Sequence, residues 1–463
     1  MGAGVSNWRL ARAVSCLGQL GVVAGTALDQ LLSRRLQDGD REGHVRRALE
    51  HFPFPKIAKK ILDLHYVPGG RAPAEPYRPV RMHAVENHVP AQELCIAANF
   101  VEVFLAREGH AGPVGINFLE KIQMPHLPSL YGAMLAGVAV VIVGAGIPLE
   151  FPAAIQALSE HRPATYTLNV AGPRSETPAV LTLDPAAFRE PGQTLPFLAR
   201  PAFLPIVSSG TLATMLARRI RDGIAGFVVE SAVAGGHNAP PRGPMQLTAD
   251  GEPIYGARDE IDLDVFRQLG LPFWLAGGRG SPEQLQEALA QGAAGVQVGT
   301  PFALCAESGL APNLRRALVA KALEGKAKVF TDSKASPTGF PFKVAELAGT
   351  LSDETNYQRR RRVCDLGFLR EAYRKPDGTL GYRCAAEPEK AYLAKGGKPE
   401  DLLGRKCLCN ALVADIGMPQ PLADGSAELP LVTLGDDFAN VGRFCADGQR
   451  DYSAADVVRT LLG

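Results

Sequence analysis

The feature that most constrains the fold is a repeat of short apolar runs, each ending in glycine or a polar residue and accompanied by helical patterns. Such alternation is typical of βα units, in which helices connect parallel strands. Seven runs have the character of strands: residues 20–24, 114–117, 139–143, 203–207, 226–230, 272–276 and 295–298. Helical patterns lie at residues 8–17, 128–137, 148–161, 212–222 and 282–291. The sequence therefore predicts an α/β fold with a parallel sheet.

The predicted architecture is a (β/α)8 TIM barrel whose first strand is missing or truncated. Such a barrel needs eight strands, one more than the sequence offers. Residues 1–6 (MGAGVS) resemble the Gly-rich turn between a strand and a helix, and Asn7 is a suitable N-cap for that helix. Either the chain begins inside a longer gene or the barrel closes without its first strand, and we favour the truncated start.

The chain is expected to have three parts. Residues 1–310 form the barrel, with insertions at residues 40–90 and 163–200. The first insertion is interpreted as a solvated basic helix followed by a Pro-rich loop, with a lid or partner surface as the alternative. The second holds two alternating runs, residues 165–170 and 179–183, which predict a hairpin outside the barrel. Residues 311–358 form a helical and loop extension, and residues 359–463 an appended subdomain.

Charge and hydropathy exclude some classes of partner. The 463 residues include 49 Lys and Arg against 48 Asp and Glu, a net charge of +1. This balance argues against a nucleic-acid scaffold or a polybasic membrane binder. No uninterrupted apolar run approaches the roughly 18 to 20 residues of a membrane helix, and no export signal is visible, so we expect a cytoplasmic protein.

The loops after the last two predicted strands carry paired small residues. Gly277 and Gly278 precede a helix whose Pro282 suits its first turn, and Gly299 and Thr300 follow the next strand. Function in such barrels resides at the carboxyl ends of the strands, and exposed backbone amides there bind phosphate. The pattern predicts a phosphate-bearing ligand; ordinary tight turns are the alternative.

A histidine follows the predicted strand that ends at Glu230. Gly235 and Gly236 allow a flat ligand to approach the backbone, and His237 is expected to project over the barrel mouth with a pKa near neutrality. A structural histidine is the alternative. Asn117, at the end of another strand, offers both a donor and an acceptor. A planar heteroaromatic ring with a phosphate, such as flavin mononucleotide (FMN), fits these groups.

These motifs together resemble a known family. The ordered set MGAGVS (1–6), GIN (115–117), AGGH (234–237), AGG (276–278) and QVGT (297–300) is similar to the nitronate monooxygenase (2-nitropropane dioxygenase-like) family of FMN-dependent barrels. It also resembles the related flavin-containing enoyl-acyl-carrier-protein reductases and the trans-acting enoyl reductases of polyketide-type synthases. The resemblance covers roughly residues 1–310.

The resemblance implies FMN as the cofactor and His237 as the catalytic residue beside it. The phosphate is expected against Gly277, Gly278, Gly299 and Thr300, and the ring system near residues 1–3 and Asn117. The full set of implied cofactor-binding residues is Met1, Gly2, Ala3, Asn117, Glu230, Gly235, Gly236, Gly277, Gly278, Gln297, Gly299 and Thr300. No metal ligand is among the predicted site residues.

Three functions follow from this interpretation. The favoured one is a nitronate monooxygenase that oxidises small alkyl nitronates with oxygen. The second is an NAD(P)H-dependent enoyl-thioester reductase, which could act in trans with a synthase or acyl carrier partner. The third is a non-catalytic flavin or phosphate-ligand binding module.

Two further features leave alternatives open. Cys364, Cys384, Cys407 and Cys409 have the spacing C-x19-C-x22-C-x-C, which lacks the paired C-x2-C of strong zinc motifs. Free thiols are favoured, with a structural metal or iron–sulfur site as the alternative. Arg242 near the predicted barrel mouth is interpreted as a solvated loop residue, with contact to an anionic substrate as the alternative.

Overall fold

The computed structural model describes residues 2–86, 88–172, 177–422, 424–446 and 448–463. These residues form fourteen strands: β1 (Gly21–Ala24), β2 (Val114–Leu119), β3 (Val140–Gly144), β4 (Ala164–Leu168), β5 (Val170–Ala171), β6 (Ala179–Leu183), β7 (Ala202–Val207), β8 (Phe227–Glu230), β9 (Phe273–Ala276), β10 (Gly295–Gln297), β11 (Val329–Asp332), β12 (Phe342–Ala345), β13 (Glu371–Arg374) and β14 (Leu380–Arg383). They also form sixteen α-helices: α1 (Trp8–Cys16), α2 (Leu28–Gln37), α3 (His44–Glu50), α4 (Pro55–His65), α5 (Val89–Arg107), α6 (His126–Leu135), α7 (Phe151–Ser159), α8 (Gly210–Ile220), α9 (Leu263–Leu269), α10 (Pro282–Ala290), α11 (Thr300–Ala303), α12 (Pro312–Leu323), α13 (Glu354–Arg359), α14 (Glu389–Ala394), α15 (Leu408–Ala414) and α16 (Ala454–Leu462).

A curled parallel sheet of seven strands lies at the centre. Its order is β1-β2-β3-β7-β8-β9-β10, so strands adjacent in the sheet follow one another along the chain. All seven predicted strands are present, with their ends shifted by at most two residues. The prediction of an α/β, TIM-barrel-like fold is therefore confirmed.

The strands could be predicted because both faces of the sheet are buried. Ile142, Leu204, Val228 and Ala276 form a small cluster of their own, while alternate positions such as Val141 belong to the large core that includes the surrounding helices. A strand buried on both faces is apolar along its whole length, which gives the continuous runs seen in the sequence.

Within the described residues no eighth strand joins this sheet, and the segment before α1 lies at its edge. The Ser6 carbonyl accepts the Ala24 N–H at 2.8 Å, and the Ser6 hydroxyl donates to the Val22 carbonyl. The Val5 carbonyl accepts the Gly309 N–H at 2.8 Å. This segment therefore connects edge strand β1 to the chain that follows β10.

The two insertions have the predicted local structure. Strands β4 and β6 pair antiparallel, which confirms the hairpin. In the first insertion, helix α4 buries Ile57 and Ile61 and exposes Lys56 and Lys59. Lys59 forms an i,i+4 ion pair with Asp63. These features support the interpretation of a basic, solvated helix.

Part of the carboxyl-terminal region pairs with the second insertion. Strand β13 pairs antiparallel with β14 and parallel with β5, so Ala372 lies opposite Val170. Strands β11 and β12 form an antiparallel hairpin within residues 311–358, where the sequence predicted only helix and loop. The proposed division into three parts remains a prediction.

Helix α5 is long and apolar enough to cross a membrane by length and composition alone. Most of it is buried in the protein, and residues such as Ile96, Val101 and Leu105 belong to the main core. A core helix of a globular protein meets the same criterion, so the observation gives only weak support for a membrane span.

Candidate active site

A cavity of about 220 Å³ lies at the carboxyl ends of the parallel strands. Every predicted site residue that the structure describes lines it: Gly2, Ala3, Asn117, Glu230, Gly235, Gly236, His237, Gly277, Gly278, Gln297, Gly299 and Thr300. Met1 lies outside the described residues. The sheet register explains part of this convergence, because Glu230 lies opposite Ala276 and Ala276 opposite Gln297.

The loop after β9 requires glycine. Gly277 has a φ of +94° and Gly278 a φ of +63°, both in the left-handed region. A Cβ atom at Gly277 would overlap the Ser231 hydroxyl. Helix α10 begins three residues beyond Arg279, and the Ser281 side chain accepts the Gln284 N–H at its N-terminus. At Gly277 and Gly278 the loop thus presents backbone to the cavity, which Arg279 of the same loop also lines.

The loop after β10 is less constrained. Gly299 has a φ of −115°, and a Cβ atom there would meet no atom within 4 Å. The Thr300 hydroxyl accepts the Gly435 N–H at 2.8 Å. The carboxyl-terminal region therefore contacts one of the groups predicted to bind phosphate.

Sequence reasoning missed the contribution of this region to the cavity. Asp437 is 7% exposed, lines the cavity, and accepts a hydrogen bond from the Gly280 backbone. Burial raises the pKa of the Asp437 carboxyl. The Thr433 hydroxyl accepts the Gly236 N–H at 2.9 Å. These residues belong to no local sequence motif, and they lie at the barrel mouth only because of the tertiary fold.

His237 is held by the loop between β11 and β12. Its Nε2 atom lies 2.7 Å from the Ser336 hydroxyl, and its ring contacts the Phe342 ring edge to face at 4.9 Å. The residues on either side of His237 are bound to the same hairpin by backbone hydrogen bonds. The Asn238 N–H donates to the Pro341 carbonyl, and the Lys343 N–H in β12 donates to the Gly236 carbonyl. The histidine is therefore fixed by backbone and side chain together.

The electrostatics of His237 differ from the expectation. Burial lowers its pKa to about 3, so the imidazole is neutral near pH 7. The prediction that His237 titrates near neutrality is therefore wrong. Burial instead raises the pKa of Glu230 to about 7, so this carboxyl at the cavity titrates near neutrality.

A second cavity of about 540 Å³ adjoins the first. Glu230, His237 and Arg279 line both cavities and so lie at their boundary. Arg242 also lines the second cavity, but its guanidinium donates to the backbone carbonyls of Ser208 and Arg258. Arg242 is also exposed, which supports its interpretation as a solvated loop residue.

Comparison with known proteins supports the predicted family. Residues 198–336 match the family model described as nitronate monooxygenase. The predicted resemblance to the nitronate monooxygenase family is confirmed. The matched segment begins just before β7 and ends at Ser336, so it contains Glu230, the His237 loop and both glycine loops, and it excludes Asn117. The chain is accordingly a flavin oxidoreductase.

Three solved structures can be compared with the chain over nearly its whole length. The nitroalkane oxidase of Streptomyces ansochromogenes is 15% identical with a TM-score of 0.49, over 100% of this chain and 92% of that one. FabK of Thermotoga maritima is 16% identical with a TM-score of 0.46, over 99% and 89%. The enoyl reductase domain of MlnA from Bacillus amyloliquefaciens is 11% identical with a TM-score of 0.45, over 100% and 92%. These similarities are too low to support an argument about substrate. No curated protein matches the chain.

Proposed function

We propose that the chain is an FMN-dependent nitronate monooxygenase acting on small alkyl nitronates. The observation that carries the proposal is the convergence of His237, Glu230 and both glycine loops on one cavity, within the segment matched by the family. When bound, FMN would supply the redox chemistry that passes electrons from the nitronate to oxygen, leaving a carbonyl compound and nitrite.

The residues present fit a flavin phosphate at the glycine loops. Gly277 and Gly278 present backbone in a conformation that side chains disfavour, and Gly299 leaves open space. Asp437 is a carboxyl group beside these loops, and burial raises its pKa. In this proposal, Asn117 and Gln297 would bind the polar edge of the ring system.

His237 would orient the substrate as a neutral group. If the Ser336 hydroxyl donates to Nε2, the imidazole proton resides on Nδ1, which then becomes a hydrogen-bond donor. A neutral donor suits an anionic nitronate, whose charge is already present before the reaction. A protonated Glu230 below pH 7 would avoid repelling that anion.

The first experiment is the absorption spectrum of the purified protein, followed by anaerobic mixing with propionate 3-nitronate. We expect bound FMN, bleaching by the nitronate, and recovery of the spectrum on adding oxygen. His237→Ala should retain FMN and lose turnover, whereas His51→Ala, at an exposed site, should behave as the wild type. A colourless protein that does not take up FMN would refute the proposal.

A second candidate, an NAD(P)H-dependent enoyl-thioester reductase, is favoured by the second cavity. Its 540 Å³ beside Glu230 and His237 offers room for a substrate larger than a small nitronate. Bleaching of the flavin by NAD(P)H alone, with no effect of the nitronate, would support this candidate. Bleaching by neither would leave the non-catalytic binding module.

A further inference from the structure

The fold gathers four cysteines that are scattered in the sequence. Cys384 and Cys407 pack with Ala386 in a small buried cluster, and Cys409 packs against it. The thiol of Cys364 is within electrostatic range of all three, and none of the four forms a disulfide. Cys407 is the N-cap residue of α15, and Cys384 directly follows β14.

Backbone amides point at the sulphur atoms of three of these cysteines. Each accepts a hydrogen bond from the main chain, Cys384 from Ala386, Cys407 from Asn410 and Cys409 from Leu369. The Asn410 side chain adds a contact to the Cys407 sulphur at 3.7 Å. Such hydrogen bonds stabilise negative charge on sulphur, and here they partly oppose the burial that raises the pKa of these thiols.

Two arginines also face the four sulphur atoms. Arg360 interacts electrostatically with Cys407, and Arg370 with Cys364 and Cys409. Burial raises the pKa of all four thiols, and the positive charge of the two arginines partly opposes this at Cys407 and Cys364.

The acidic groups near the four cysteines already have partners. Glu428 forms a two-point ion pair with Arg360, at 2.6 and 2.7 Å. Glu387 pairs with Lys395 at 2.7 Å, and Asp365 accepts from the Asn410 side chain at 2.6 Å. The second oxygen of Glu387, Oε1, is buried without a hydrogen-bond partner and is a further acceptor beside the cysteines.

The arrangement does not suit one metal ion. Among the residues that the structure describes, no group of three or more His, Cys, Asp or Glu side chains is placed so that it could hold a metal ion. A tetrahedral zinc site would draw all its sulphurs to within about 2.3 Å of one centre. In a [4Fe–4S] cluster each thiolate binds a different iron atom, so the four sulphurs stand further apart.

We propose that this site binds a [4Fe–4S] cluster through four ligands: Cys364, Cys384, Cys407 and Cys409. The site is separate from the proposed flavin-binding loops and does not depend on the proposed function. Cys409 and its neighbours Leu408 and Leu412 also line the central cavity. The cluster would thus border the cavity and the ligand bound there.

The test is elemental analysis of the full-length protein purified without oxygen. We expect about four iron atoms and four acid-labile sulfides per chain. After reduction with dithionite, we expect the electron paramagnetic resonance signal of a single unpaired spin on the cluster. Wild-type protein that contains zinc and no sulfide, or no metal at all, would by itself overturn the proposal.

Variants then assign the ligands. Cys384→Ser and Cys407→Ser should each lower the iron content at least twofold. The matched control is Cys445→Ser, which removes a partly buried cysteine outside the cluster and should leave iron unchanged. An equal loss of iron in Cys445→Ser, or full iron retention in both cluster variants, would contradict the assignment. The wild-type iron and sulfide content decides the matter if the cluster variants do not fold.

Discussion

The contact between Ser336 and His237 gives the sharpest test of how the site is organised. Ser336 is fully buried, and its hydroxyl lies 2.7 Å from Nε2 of His237. The same oxygen accepts the Thr338 N–H at 3.2 Å and lies 2.8 Å from the Thr338 hydroxyl. We therefore regard Ser336 as a positioning residue, which acts through the imidazole.

Ser336→Ala would leave a buried ring nitrogen without its partner. Losing one partner of a buried hydrogen bond costs about 1 to 3 kcal/mol. If His237 contacts the substrate in the transition state, this cost corresponds to a fall of about 5- to 150-fold in kcat/KM for the nitronate. The assay is oxygen consumption with propionate 3-nitronate, together with FMN content measured after denaturation.

Thr338→Val is the matched control, because it removes the next hydroxyl along and leaves the contact between His237 and Ser336 in place. We expect it to change kcat/KM by less than about threefold. The FMN content of both variants should equal that of the wild type, because neither residue touches the glycine loops. Unchanged kinetics in Ser336→Ala, or equal losses in both variants, would refute the positioning role.

Two further predictions concern the carboxyl groups at the cavity. Asp437→Asn should lower the FMN dissociation constant at least about threefold in fluorescence titrations. The change removes a negative charge beside the proposed phosphate loops and keeps a hydrogen-bond acceptor for the Gly280 N–H. Weaker FMN binding in this variant would contradict the prediction. Glu230 has a pKa of about 7 in the folded protein against a reference of 4.5, so the stability it contributes is present below pH 4.5 and is lost as pH rises through 7. Between pH 5 and pH 8, the free energy of unfolding measured with denaturant should therefore fall by about 2 to 3 kcal/mol more in the wild type than in Glu230→Gln. Equal falls in the two proteins would contradict the assigned pKa.

The strands and the predicted site residues could be found from sequence because each depends on local chemistry. Strands such as β3 are buried on both faces and are therefore apolar along their whole length. Glycine or polar residues stand where these strands end. Residues that follow such strands, including Asn117 and His237, must meet because the carboxyl ends of parallel strands share one edge. The position of the cavity therefore followed once the strands were known.

The sequence alone thus determined the sheet, its order, and the edge at which the predicted site residues gather, since these follow from the pattern of apolar and small residues along short segments. Only the tertiary structure determined the protonation of His237, because a pKa depends on burial by groups distant in the chain. The same holds for Asp437 and Ser336, which reach the cavity from segments far along the chain. It also holds for the four cysteines, whose common location depends on how the carboxyl-terminal region packs against the barrel.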